Sequence, residues 1–165
     1  MSIFTKFKFA AKHPIITIKY LLGDEKAVYY QKRRDNINNA IKSLGIRKRI
    51  NINECLIQLD RNIIPIIEKA LDIYKNADPS SMRFYKGHLL YYLIRVIKPA
   101  IVVETGVASG ISSLFILQAL NDNDYGHLYS IDLPNVEPKS SLPSGYDPGW
   151  VIPENLRGVM DFNTR

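Results

Sequence analysis

The sequence predicts an α/β fold, in which the βαβ start of a parallel sheet follows a set of N-terminal helices. Three observations predict it. A short run rich in β-branched residues, Ile101 to Val103, leads into a small-residue loop from Gly106 to Gly110. A helical stretch from Ile111 to Leu120 follows, and a turn cluster from Asn121 to Gly126 separates it from a second strand, His127 to Ile131. Each strand ends in a carboxylate, Glu104 or Asp132. Strand, helix and strand within about 30 residues make one βαβ unit.

The elements can be justified in chain order. His13-Pro14 breaks any helix near it, because proline disfavours the α region for the residue before it. Val28 to Leu44 reads as a helix with Lys32, Arg33, Arg34 and Asp35 exposed, and Gly45 suits its stop. Leu56, Leu59, Ile63, Ile66, Ile67, Ala70 and Ile73 recur at steps of three and four, which is one apolar helix face. Pro65 lies inside that face, so either the helix kinks or two helices abut there. Asn76 to Pro79 is a turn, and Ser80 or Ser81 can cap the next helix by accepting from an early backbone N–H. Met82, Tyr85, Leu89, Tyr92 and Val96 mark the buried stripe of that helix, and Pro99 ends it at about Lys98. The apolar run Ile101 to Val103 suits a strand buried on both faces, as in the middle of a parallel sheet. After Asp132, five prolines from Pro134 to Pro153 rule out long regular elements, and Val159 to Phe162 begins a third strand.

Composition narrows the function classes. A chain of 165 residues is one domain by length, and 46% apolar with 23% charged residues is ordinary for a globular protein. Pro14 to Leu22 is too short, and too interrupted by Lys19, to span a membrane. The basic N-terminus lacks the apolar run and cleavage site of a secretory signal. Cys55 is the single cysteine, which excludes an intramolecular disulfide and makes a cytoplasmic setting the expectation. The net charge of +6 is uneven: residues 1–50 carry +9 and residues 51–165 carry −3. A solvated basic helical face explains this better than an anionic partner, and nucleic acid is not an expected ligand. The expected organisation is a helical segment over 1–79 followed by the strand-bearing part over 80–165.

The chemistry concentrates in Val103-Glu104-Thr105-Gly106-Val107-Ala108-Ser109-Gly110. Gly106 allows a sharp turn and leaves room for a ligand against the backbone. Gly110 permits close packing where the helix starts, and first-turn N–H groups lack helical partners. Ser109 and Ser112 can add hydroxyl donors. Asp132 stands where a carboxylate can accept from both hydroxyls of a ribose, at the carboxyl end of a strand. The dinucleotide fingerprint G-x-G-x-x-G is absent, since three residues separate Gly106 from Gly110. Glu104 would repel a pyrophosphate but could pair, directly or through water, with an ammonium group. S-adenosylmethionine has an ammonium, a carboxylate and a ribose but no phosphate, so the charges suit it better than NAD.

At these residues the chain resembles a known family. "VVETGVASGISSLFILQAL" followed by "GHLYSIDLP" resembles class I S-adenosylmethionine-dependent methyltransferases. The nearest likeness is to a small-domain bacterial-type group reading E-T-G-x-x-x-G-x-S-S and then S-I-D-L-P, and to O-methyltransferases of small molecules. "LLYYLIRVIKPAIVVE" and "PGWVIPENLRG" extend the likeness over roughly Tyr85 to Arg157. The resemblance implies a Rossmann-like sheet with Glu104, Gly106 and Gly110 at the methionine end of the cofactor, Ser109 and Ser112 nearby, and Asp132 on the ribose. It implies methyl transfer to oxygen or nitrogen of a small-molecule acceptor by in-line displacement at the sulfonium carbon. Ala108 departs from the family, many members of which have a middle glycine there; a small residue is expected to fit. The seven strands of that family exceed those read here, so an incomplete sheet and a fragment are expected, with catalytic base and any metal ligands not identifiable.

Other residues read more plainly. His88 is expected to be structural or exposed, Cys55 to be core, Tyr91-Tyr92 to be helix packing, and Trp150 to anchor the proline-rich loop. No Cys/His/Asp cluster has metal-ligand spacing. Self-association into a homo-oligomer is compatible with the sequence. Two other functions remain open: a non-catalytic Rossmann-like remnant acting through its basic helices, and a fragment of an NAD-dependent oxidoreductase.

Overall fold

Parallel pairing of three strands organises the strand-bearing part of the chain. The computed structural model describes residues 25–73, 86–132, 142, 143 and 145–164. Residues 1–47 and 48–165 form two compact units. The Asn76–Pro79 turn, the Ser80/Ser81 cap and the stripe positions Met82 and Tyr85 lie outside the described residues.

In the first unit, helix α1 spans Glu25–Ser43, and Gly45 follows it at φ +64°. Ile37 and Ile41, one turn apart, are fully buried. Of the polar residues expected to be exposed, only Lys32 is so; Arg33, Arg34 and Asp35 are half-buried. The reason is local. The Arg33 guanidinium lies 3.3 Å from the centroid of the Tyr29 ring, and Arg34 and Asp35 both hydrogen-bond Gln31.

In the second unit, α2 (Ile52–Asn62) starts at Asn51, whose side chain accepts from the backbone N–H groups of Asn53 and Glu54. Helix α3 (Ile64–Ile73) begins directly after Ile63. Two helices therefore abut, the second of the two options the sequence left open. Pro65 stands in the first turn of α3, where its missing N–H costs nothing. Helix α4 (Gly87–Ile97) stops at Lys98 in the left-handed conformation, just before Pro99.

Strand β1 (Ile101–Thr105), helix α5 (Ile111–Asn123) and strand β2 (His127–Asp132) form the expected βαβ unit. A short helix, α6 (Glu154–Arg157), precedes strand β3 (Met160–Thr164). The order is β1-β2-β3, and both pairings are parallel. Leu114, Leu117 and Leu120 of α5, Tyr91 and Tyr92 of α4, and Leu128 of β2 are all buried and make the core between the helices and the sheet. Tyr91 and Tyr92 are thus packing residues, as expected. Gly87 brings α4 so close to α5 that a Cβ there would stand 2.2 Å from the Phe115 ring.

One expectation is corrected. Strand β1 is buried on one face only: Ile101 is 62% and Val103 64% exposed, while Glu104 is buried. The register puts Val103 opposite Tyr129 and Thr105 opposite Ile131, so the open face continues onto β2, where Tyr129 and Ile131 are also exposed. An uninterrupted apolar run marks a strand suited to two covered faces. Among the described residues, helix α5 covers only the face that carries Glu104 and Ser130, and β1 is an edge strand.

Candidate functional site

The loop between β1 and α5 is built from residues in left-handed conformations. Gly106 has φ +79°, Ala108 +47° and Gly110 +93°. At Gly106 an added Cβ would meet nothing within 4 Å, so the backbone there faces open space. At Gly110 the same atom would come within 2.9 Å of the Gly149 Cα and the Ile152 Cγ1. The two glycines therefore serve different ends. Gly106 leaves room in front of the loop, and Gly110 lets the chain over residues 149–152 close on the start of α5. Ala108 is strained for a side-chain-bearing residue, which explains why a glycine is common at such a point.

Glu104 and Asp132 stand at the carboxyl ends of neighbouring parallel strands, and both bond within the chain. Glu104 is 8% exposed and lies directly opposite Ser130 in the strand register. Its Oε1 accepts from Ser112 Oγ at 2.5 Å, and its Oε2 accepts from Ser113 Oγ at 2.6 Å and Ser130 Oγ at 3.0 Å. Three hydroxyls from α5 and β2 thus hold one carboxylate at the end of β1. Asp132 is half-buried. Its Oδ2 accepts from the backbone N–H groups of Val107 at 2.8 Å and Ala108 at 2.7 Å, which ties the loop to the end of β2. A further bond from Gly106 N to Ile131 O, 2.9 Å, fixes where the loop departs.

The other expected residues sit around this frame. Ser109, within the loop, is fully buried. Ser112 is half-buried, with its hydroxyl turned to Glu104. The site residues named from the sequence therefore converge on one loop, with Ser109 and Glu104 facing inward and Gly106 facing out.

Sequence reasoning missed the brace behind the loop. Gly149 N donates to Ala108 O at 2.8 Å, and Val151 N donates to Ser109 O at 3.1 Å. Arg157 in turn donates to Gly149 O at 3.0 Å. The chain around Gly149 is thereby anchored to the loop by the backbones of Gly149 and Val151. Ser113 and Ser130 were missed as well, although the register of two parallel strands of equal reach was the signal that could have paired Ser130 with Glu104.

A second polar cluster lies between α2, α4 and α5. Tyr91 donates to Asp122, and Arg95 Nη1 reaches both Tyr91 Oη, at 2.9 Å, and Asp122 Oδ2, at 3.1 Å. Gln58 and Gln118 complete it. Burial, and next the bond to Asp122, hold the Tyr91 phenol well above its ordinary range. Burial pushes the neighbouring Cys55 thiol from 9.0 up to about 11, against the opposing charge of Arg95. Cys55 is a free, buried core residue, as expected, in surroundings that favour the thiol over the thiolate. His88 is buried.

No metal-binding group of three or more His, Cys, Asp or Glu side chains occurs among the described residues, and no described helix is long and apolar enough to cross a membrane. The chain matches no protein-family profile, no curated protein and no solved structure.

Proposed function

We propose that this chain carries the cofactor-binding part of a class I S-adenosylmethionine-dependent methyltransferase acting on oxygen or nitrogen of a small molecule. The observation that carries the reading is the juxtaposition of Glu104, the open backbone at Gly106 and Asp132 at the carboxyl ends of two adjacent parallel strands. Ligands of open α/β sheets bind at such strand ends.

The open space at Gly106, where a Cβ would meet nothing within 4 Å, supports the reading, because a ligand could lie against that backbone. The open backbone at Gly106 would meet the methionine end and the half-buried Asp132 the ribose, while Ser109, Gly110 and Ser112 would act indirectly, by packing and by holding Glu104. The cofactor, when bound, supplies an electrophilic methyl group on a sulfonium. The chain's own contribution is position: Asp132 fixes Val107 and Ala108, and Glu104 fixes the first turn of α5. Since Glu104 already accepts three hydroxyl bonds, it acts on the cofactor's ammonium by its charge and through the loop it holds.

The test is calorimetric titration with S-adenosylmethionine and, separately, with NAD. Saturable heat with the first and none with the second is expected, and Gly106→Ala should abolish it, because it adds a Cβ at positive φ into the ligand's space. Tight NAD binding that survives high salt would overturn the reading. The internal bonding of both carboxylates favours one competitor, a non-catalytic domain in which Glu104 and Asp132 are purely structural; absence of heat with either compound would favour that competitor.

A further inference from the structure

We infer that the groove between α3 and the chain over residues 146–153 is a binding site for an aromatic carboxylate. The groove is a cavity of about 350 Å³, partly open to solvent. That volume lies at the small end of ligand pockets, which run from about 300 to 1,000 Å³, and suits a molecule of one ring with a short chain.

Its lining names the chemistry. Ile66 and Ala70 of α3 and Val151 line it, so much of its wall is apolar. Tyr146 and Trp150 supply two rings, 4.6 Å apart between centroids and inclined at 54°, which offer a face and an edge to a third ring. Lys69 is the sole charged side chain lining the groove among the described residues, and it has no ion pair among them. Glu68, Asp72 and Asp147 are exposed and do not line it. A flat apolar body bearing one negative group therefore complements the groove, whereas a cation or a larger polyanion does not.

The groove is also coupled to the loop at the strand ends. Trp150 and Val151 form one wall, and the flanking backbone of Gly149 and Val151 bonds to Ala108 and Ser109. A ligand in the groove and a ligand in front of Gly106 thus share a brace. That the groove seats the methyl acceptor rests on the methyl-transfer reading; that it binds an aromatic carboxylate does not.

Trp150 is the only tryptophan of the chain and lines the groove, so its fluorescence responds to binding there. The full chain is titrated with 3-phenylpropanoate and with its neutral isostere 3-phenylpropanamide, neither of which absorbs at the excitation wavelength of tryptophan. Saturable change with the acid is expected, with the amide about fivefold weaker, the worth of one exposed ion pair. Lys69→Gln, an exposed position, should reduce that preference below about twofold while leaving the circular dichroism unchanged. No saturable change with the acid, equal binding of acid and amide, or a preference that survives Lys69→Gln would each overturn the proposal. Calorimetry with S-adenosylmethionine on the same preparation separates the two readings: saturable quenching without that heat supports the groove and removes only its role as acceptor seat.

Discussion

Ala108 adopts φ +47° between two glycines that are also left-handed. A side chain in that region costs about 1–2 kcal/mol, and glycine would return part of the gain through a more flexible unfolded chain. Ala108→Gly is therefore expected to raise the stability in urea by about 0.5 kcal/mol; a loss of about 1 kcal/mol would argue against a left-handed Ala108. Glu104 offers the opposite case. Removing its carboxylate strands the hydroxyls of Ser113 and Ser130 in a buried site. Glu104→Ala should cost about 3 kcal/mol in chemical denaturation, and Ser130→Ala about 1 kcal/mol, since it deletes one donor and leaves the carboxylate two others. A Glu104→Ala protein within about 0.5 kcal/mol of its parent would sink the idea that this residue latches β1, α5 and β2 together.

At the scale of elements, α2, α4 and α5 are joined through the Tyr91, Arg95, Asp122 and Cys55 cluster, and its titration gives a pH dependence with a definite sign. The unfolded thiol of Cys55 titrates at 9.0 and the folded one at about 11. Between those values the unfolded state binds fewer protons, so stability falls as pH rises. Below about pH 9 the contribution is constant, and it is lost as the folded thiol titrates. Tyr91, whose folded value is also raised, extends the loss in the same direction at higher pH. The thermal midpoint should thus be flat with pH toward neutrality and decline above 9, and Cys55→Ala should flatten the first part of that decline. A slope identical in parent and Cys55→Ala would show that the thiol does not contribute. The abutment of α2 and α3 belongs to this scale too. Periodicity ran through Ile63 unbroken, and only the choice between a kink and a break was undecided; the break leaves Pro65 within a first turn, which is its cheapest helical position.

For the second unit as a whole, the dominant feature is a parallel sheet with helix α5 on one face and exposed Ile101, Val103, Tyr129 and Ile131 on the other. Contiguous apolar surface of this kind favours association. Replacing Val103 and Ile131 together by lysine is expected to lower light scattering at high protein concentration without loss of helix signal; unchanged scattering would mean that another surface is responsible. On α1 of the first unit, Arg33 and Arg34 are engaged locally, by the Tyr29 ring and by Gln31.

The βαβ unit, the third strand after Val159, the helix stop before Pro99 and the loop residues were legible in the sequence, because each depends on local periodicity or on the backbone freedom of one residue. Glu104, Gly106, Gly110 and Asp132 could be named together for the same reason: strand ends and a turn place them by chain geometry alone. What needed the tertiary structure is what each of them touches. That Glu104 is held by Ser112, Ser113 and Ser130, that Asp132 grips the amides of Val107 and Ala108, and that Gly149 braces the loop are contacts between residues distant in the chain. The same limit explains the error over β1. An apolar run tells how a strand could be buried, but the faces that are covered depend on which elements pack beside it, and here α5 covers one.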